Sequence, residues 1–336
     1  MTILFGHDAQ TATFLDALRS GRMHHAWLLA GPAGVGKASF ARAAALRMLT
    51  EAAGPDPGGN GLHVSPDHRI AKLMAAESHP DFRELVQLPF DAKGNVIPVD
   101  KRTDDTPVAR SIRIDQVRGL LGTLAMSPAL SAERAILVDP VDVLERNAAN
   151  ALLKSLEEPP AGTVFFLVSH SPANLLPTIR SRCRLLRFKP LGDADMAAAL
   201  RGALPDANDR EVDELVAAGE GAPGLALARR GLGVPALDAE IDRLVREGDR
   251  TNALRSALSG KLATKAATER YHLFLDRAPR RIATEARARR GRERVEALEL
   301  WDQASSLAAK ARPLSLDPAA VTFCMGGYLA ALAPGR

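Results

Sequence analysis

The chain has 336 residues, 46% hydrophobic and 25% charged, which at roughly 150 residues per domain implies about two domains, or three small ones, and argues against a mainly disordered chain. Its net charge of +4 and pI near 9.3 rest on 9 Lys and 35 Arg, a balance that permits nucleic-acid contact without demanding it; 4% aromatics speak against a base-stacking platform. No apolar run reaches the about 18 residues of a membrane span, and Met1-Thr2-Ile3-Leu4-Phe5-Gly6-His7-Asp8 has neither a basic n-region nor an apolar core, so no signal peptide is read and the cytoplasm is the expected compartment.

The first half predicts alternating strands and helices. His25-Ala26-Trp27-Leu28-Leu29-Ala30 is an apolar strand candidate, followed by a glycine-rich turn and a helix over 37–51. Residues 54–61 have the Gly and Pro content of a loop, and 91–107 are similarly polar and punctuated. Arg134-Ala135-Ile136-Leu137-Val138-Asp139 is the second strand candidate. A helix over 147–158 stops at Pro159-Pro160, and Val164-Phe165-Phe166-Leu167-Val168 is the third strand candidate. This alternation predicts a parallel sheet with helices on both faces. Beyond about residue 190 strand signals vanish, so the second half is read as all helical. The expected division is an α/β domain over 1–189, a small helical domain over 190–232 and a helical domain over 233–336. Leu298, Leu300, Trp301, Leu307, Phe323 and Leu329 are its candidate core. Nine arginines within 270–294 form either a solvated helix face or a contact with a subunit or DNA.

Gly31-Pro32-Ala33-Gly34-Val35-Gly36-Lys37 follows a strand and opens a helix, the context a P-loop requires. Glycines let backbone N–H groups curl around phosphate oxygens, and the helix N-terminus adds a favourable dipole. Lys37 is the residue that would reach the β and γ phosphates, so ATP or ADP is the ligand class. A working P-loop then carries Ser or Thr to hold Mg²⁺. Here that position is Ala38, and Ser39 lies about 100° further round the helix. Asp139, ending the second strand, takes the Walker B position. Pro140 follows, where P-loop motors carry a water-orienting glutamate; Asp142 comes three residues after Asp139. Metal holding and water activation are thus both lost while the phosphate loop is kept.

Leu176-Pro177-Thr178-Ile179-Arg180-Ser181-Arg182-Cys183-Arg184 follows the third strand. It is either a basic loop with structural ion pairs or, beside a P-loop domain, an arginine finger. The two cysteines, Cys183 and Cys324, supply neither a disulfide framework nor a four-cysteine metal site. No cysteine occurs before Cys183, and His63 and His68 stand without partners, so no zinc and no metal ligands are expected.

Asn150-Ala151-Leu152-Leu153-Lys154-Ser155-Leu156-Glu157-Glu158-Pro159-Pro160, with Ser181-Arg182-Cys183, resembles the bacterial clamp-loader branch of the AAA+ ATPases. His24-His25-Ala26-Trp27-Leu28-Leu29, His79-Pro80-Asp81 and Leu314-Ser315-Leu316-Asp317 are similar to its delta-prime-type subunits in DNA polymerase III. The resemblance covers most of the chain and is weakest at 50–75, 90–108 and 191–300. It implies an AAA+ P-loop domain, a helical lid and a C-terminal helical collar. It also implies a part in ATP-dependent loading of a sliding clamp on primed DNA, beside gamma/tau-like and delta-like subunits of a DNA-directed DNA polymerase holoenzyme. The SRC motif, Ser181, Arg182 and Cys183, would give Arg182 as an arginine finger in trans. The nucleotide-binding set would be Gly31, Gly34, Gly36, Lys37 and Asp139, with negligible ATPase of the chain's own. Many relatives carry a four-cysteine zinc module after the P-loop helix, absent here. Gly224, in Gly221-Ala222-Pro223-Gly224, stands where the family can carry a nucleotide-sensing arginine, and Ser169 matches the polar sensor position loosely. A self-sufficient gamma-like motor is the competing reading. The intact loop favours it, while Ala38, Pro140 and Gly224 oppose it, and the short C-terminus counts against a tau-like form. A small-molecule P-loop kinase fits the helical second half poorly.

Overall fold

The computed structural model describes residues 4–54, 59, 61–91, 95–97, 101, 106, 108–124 and 126–334. Pro55, Asp56, Pro57, Gly58 and Asn60 of the 54–61 loop lie outside the described residues. So do 92–94, 98–100, 102–105 and 107 of the polar stretch, and Met1, Thr2 and Ile3 at the start. The chain divides into two compact units, Met1–Leu225 and Ala226–Arg336.

In the first unit the elements run α1 (Asp8–Arg19), β1 (Ala26–Ala30), α2 (Lys37–Ala53), α3 (Arg69–Ala75), β2 (Phe82–Val86), α4 (Ile114–Leu124), β3 (Arg134–Asp139), α5 (Arg146–Glu157), β4 (Thr163–Ser169), α6 (Pro177–Arg180), β5 (Arg184–Arg187), α7 (Asp193–Ala203), α8 (Asp209–Gly219) and α9 (Pro223–Ala228), the last crossing into the second unit. The five strands form one sheet in the order β2-β3-β4-β1-β5, every neighbouring pair parallel. This is the parallel sheet that the alternation of strands and helices predicts.

β1 and β4 are buried along their whole length, as interior strands of a parallel sheet covered on both faces must be. Alternate side chains serve opposite faces. Trp27, Leu29, Leu137, Phe166 and Val168 pack against Phe14 of α1 and Phe40, Ala44 and Met48 of α2. Ala26, Leu28, Ile136, Phe165 and Leu167 pack against Val117 and Leu120 of α4 and Leu152 and Leu156 of α5. α5 ends where Pro159 and Pro160 begin, because proline offers no N–H and disfavours helical geometry in the residue before it.

In this unit one arginine is fully enclosed while its carboxylate partner stays partly exposed. Arg47 of α2 has no exposed surface. Its Nε donates to Glu51 Oε1 at 2.5 Å and its Nη1 to the Gly61 carbonyl at 3.3 Å. One side chain thereby ties α2 to the loop that follows it. Arg47→Ala removes the enclosed side chain and leaves the Gly61 carbonyl without that donor, while Glu51 can turn to solvent, so stability is expected to fall by about 2–3 kcal/mol. Arg47→Met, which refills the space, should cost less. Chemical denaturation checks this; a loss below about 1 kcal/mol for the alanine variant would count against it.

The second unit is helical: α10 (Val234–Glu247), α11 (Ala253–Leu262), α12 (Thr268–Ala288), α13 (Gly291–Ala311) and α14 (Pro318–Ala330). Leu237 and Ile241 of α10, Phe274 and Ile282 of α12, and Met325 and Leu329 of α14 are fully or nearly fully buried. Arg277 and Arg281, one turn apart on α12, pair with Asp238 and Asp242, one turn apart on α10. Part of the arginine-rich stretch is therefore an intramolecular ion-pair ladder. The expected core needs correction: of its six residues only Leu329 is buried, Leu300, Leu307 and Phe323 are half-buried, and Leu298 is 43% and Trp301 40% exposed. The buried residues of α13 are Ala297, Ala304 and Ala311, seven apart, and this small-residue face leaves the larger side chains outward.

Candidate functional site: a P-loop and a distant arginine motif

The β1–β4 register pairs Ala30 with Ser169, and the Gly31 N–H donates to the Ser169 carbonyl at 3.2 Å. The glycine-rich loop therefore leaves the carboxyl edge of the sheet beside the end of β4. Asp139 closes β3 at the same edge, where ligands bind in open α/β sheets. Gly31, Gly34, Gly36, Lys37 and Asp139 are thus brought to one place.

The loop's geometry needs its glycines. Gly34 has φ +76° and Gly36 φ +104°, conformations that a side chain would strain. Gly36 N-caps α2. A Cβ on Gly31 would stand 2.3 Å from the Phe188 carbonyl oxygen. Behind the loop, buried His7 places Nε2 2.8 Å from the Val35 carbonyl and packs edge-on against Phe188. The sequence carried no signal for His7, a lone polar residue ahead of a helix.

Lys37 is almost fully buried, and its Nζ donates to the carbonyls of Gly31 at 2.7 Å and Pro32 at 2.5 Å. Burial pushes its ammonium down to about 8, opposed by the carboxylates of Asp139 and Asp142. Burial pushes the Asp139 carboxyl up, opposed most by Arg42. Arg42 is itself held by Glu84, through Nε at 2.7 Å and Nη2 at 3.0 Å.

Ala38 offers no hydroxyl to a metal. Asp142 accepts from Ser169 Oγ at 2.8 Å, from the His170 N–H at 2.6 Å and from the Ser171 N–H at 3.3 Å. It ties the end of β4 and does not stand in for the glutamate that Pro140 replaces. Gly224 donates its N–H to the Gly34 carbonyl at 2.9 Å, and a Cβ there would lie 3.0 Å from Gly34 Cα. A side chain at that position would press on the loop, whose Gly34 backbone would have to give by a few tenths of an ångström. His68 caps α3 by accepting from the Ile70 N–H, and His63 is exposed. Among the described residues no group of three or more His, Cys, Asp or Glu could hold a metal ion.

Ser181, Arg182 and Cys183 lie between α6 and β5. The β1–β5 register pairs Trp27 with Arg184 and Ala30 with Arg187. The motif therefore precedes β5 at the amino edge of the sheet, while the P-loop follows β1 at the carboxyl edge. The paired strand alone separates the two by about 10 Å, at about 3.3 Å per residue. Arg182 does not face the chain's own loop. Its Nη1 donates to the Thr178 carbonyl at 2.9 Å and to Ser181 Oγ at 3.4 Å, and its Nη2 lies 2.8 Å from Glu157 Oε1. Cys183 packs into the α5-side core, and burial pushes its thiol up to about 12. It anchors the motif as an apolar side chain, not as a nucleophile.

No helix among the described residues is long and apolar enough to cross a membrane. The family described as "DNA polymerase III, delta subunit" matches residues 6–192. The delta' subunit of DNA polymerase III from Pseudomonas aeruginosa is 37% identical over 199 residues, 59% of this chain and 53% of that protein. The Escherichia coli delta' subunit is 35% identical over 173 residues, 51% of this chain and 44% of that one. The tau subunit from Salmonella typhimurium is 32% identical over 186 residues, 55% of this chain and 25% of that one. The chain thus spans about half the length of the delta' relatives it matches. Its fold is similar to a gamma subunit-related protein from Thermotoga maritima at 17% identity, covering 94% of this chain and 99% of that one with a TM-score of 0.48. With more than half of its residues matched, the chain belongs to the DNA polymerase III delta subunit family.

Proposed function

We propose that the chain is a delta'-type subunit of a DNA polymerase III clamp loader. In this reading it takes part in ATP-dependent loading of a sliding clamp on primed DNA in the cytoplasm, beside gamma/tau-like and delta-like subunits. It hydrolyses no ATP itself and supplies Arg182 to ATP held by a neighbour. The observation that carries this is the register of β1 and β5. It sets Arg182 and the P-loop toward opposite edges of one sheet, which supports a guanidinium that serves a site outside its own subunit. The test is reconstitution: gamma/tau-like and delta-like partners should load clamps and show DNA-stimulated ATPase only when this chain is present. Normal loading without it would sink the reading. The competing reading, a self-sufficient gamma-like motor, draws on the kept backbone geometry at Gly34 and Gly36. It requires turnover by the chain alone.

Residues 190–232 are read as the lid and 233–336 as the assembly domain. Support for assembly comes from α13, where Val295 (55%), Leu298 (43%) and Trp301 (40%) recur every three residues and stay exposed. Trp301→Ala is expected to weaken entry into the complex by about 30-fold, the scale of an aromatic interface anchor, while leaving the isolated chain's melting temperature nearly unchanged. Sedimentation of the variant with its partners reads this. A variant that assembles at wild-type concentration dependence would refute the role.

A further inference from the structure

A guanidinium on a flexible stem carries about 2 kcal/mol of rotamer entropy. An arginine that must meet a phosphate on another subunit therefore gains from being held beforehand, provided the restraint leaves some of its donors unspent. Arg182 meets both conditions. Its side chain is 33% exposed, and three groups of its own subunit fix one end of the fork. Nη1, which has two N–H groups, donates to the Thr178 carbonyl and Ser181 Oγ. Glu157, at the last position of α5, sets a carboxylate oxygen 2.8 Å from Nη2. The Nε–H makes no hydrogen bond to the described residues, and of the two N–H groups on Nη2 the single Glu157 oxygen can take no more than one. The Nε/Nη2 edge is the planar pair that suits two phosphate oxygens.

Glu157 comes from a different element than the motif it touches. Thr178 and Ser181 are close to Arg182 along the chain and would accompany it whichever way the loop turned. Glu157 is fixed by α5, whose Leu152 and Leu156 are buried in the core. The start of β1 holds the same helix end, through His25 Nε2 at 3.1 Å from the Leu156 carbonyl. A carboxylate on that helix end ties the direction of the guanidinium to the rigid body of the domain.

We propose that Glu157 is a positioning residue for Arg182. It holds the guanidinium by its Nη2 end so that the Nε/Nη2 edge faces the ATP of the adjoining subunit. This rests on the reading of Arg182 as a finger in trans. The opposite assignment, a latch that Glu157 must release, makes the opposite prediction.

The experiment uses the fully assembled complex with wild-type partners and single-turnover ATP hydrolysis. Arg182→Ala first identifies the kinetic phase that depends on the finger. Glu157→Ala is expected to slow that phase by about three- to fivefold, the bias an exposed ion pair can impose, with its half-saturating ATP concentration unchanged. Glu157→Gln, which keeps the shape and an acceptor oxygen but not the charge, should fall between. The double variant Glu157→Ala/Arg182→Ala should be no slower than Arg182→Ala alone, because a positioning residue acts only through the residue it positions. A faster or unchanged phase in Glu157→Ala, or a double variant whose losses multiply, overturns the proposal while leaving the finger standing. If Arg182→Ala removes no phase at all, both fall together. Size-exclusion chromatography of each assembled variant separates these results from a failure to assemble.

Discussion

Replacing Arg182 with alanine is expected to slow hydrolysis at the one ATP site this chain faces by about 10³-fold, the lower end of the range for arginine fingers supplied in trans. Total ATPase of the complex should fall less, because the other sites of the ring keep their own arginines. Clamp loading, which needs the sites to act together, should fall more than total ATPase. Arg182→Lys should rescue little: an ammonium keeps the charge but lacks the planar pair of donors that spans two oxygens. The alternative role for Arg182 is to brace its own loop against Glu157 and Thr178. That pair is partly exposed, and such contacts contribute about 0–1 kcal/mol, too little for the alanine variant to unfold. The two roles therefore separate cleanly. Normal loading and normal DNA-stimulated ATPase in a complex containing Arg182→Ala would remove the finger assignment, and failure of assembly itself would favour the brace.

The buried centre of the fold was legible in the sequence, and its margins were not. β1, β3 and β4 are interior strands, and burial on both faces writes them as unbroken apolar runs. The edge strands β2, with Arg83 and Glu84, and β5, with Arg184 and Arg187, have one side open to water. They carry charge there and read as loop. α1 went unread for a similar reason, since only Phe14, Leu15 and Ala17 of its twelve residues are buried. The phosphate loop was legible because positive φ at Gly34 and Gly36 demands glycine and so leaves a spacing to find. The departures from a motor's pattern at Ala38, Pro140 and Gly224 were legible as well. What they became was not. Asp142 tying down the end of β4, Gly224 resting on Gly34 and Glu157 holding Arg182 are contacts between residues 25 to 190 positions apart, and no local periodicity encodes them.

The isolated chain is expected to hydrolyse ATP at least about 10³-fold more slowly than a competent P-loop motor, which at about 1.4 kcal/mol per tenfold corresponds to a barrier raised by roughly 4 kcal/mol or more. Two independent steps are disabled. Ala38 cannot place Mg²⁺ against the β and γ oxygens, and Pro140 can neither orient nor deprotonate a water. Lys37→Ala should therefore leave the basal rate where it was, whereas in a working motor it would abolish turnover. Restoring one group should not restore the reaction. Ala38→Thr returns a metal ligand, yet Asp142, the next carboxylate along the chain after Asp139, already accepts from Ser169, His170 and Ser171. A sensing arginine put back at 224 would set its Cβ 3.0 Å from Gly34 Cα, so the loop would have to shift slightly to admit it. Single-turnover measurements on the purified chain and these two variants decide the matter. Hydrolysis at a motor's rate, lost in Lys37→Ala, would mean that another group activates the water and that the chain drives its own cycle.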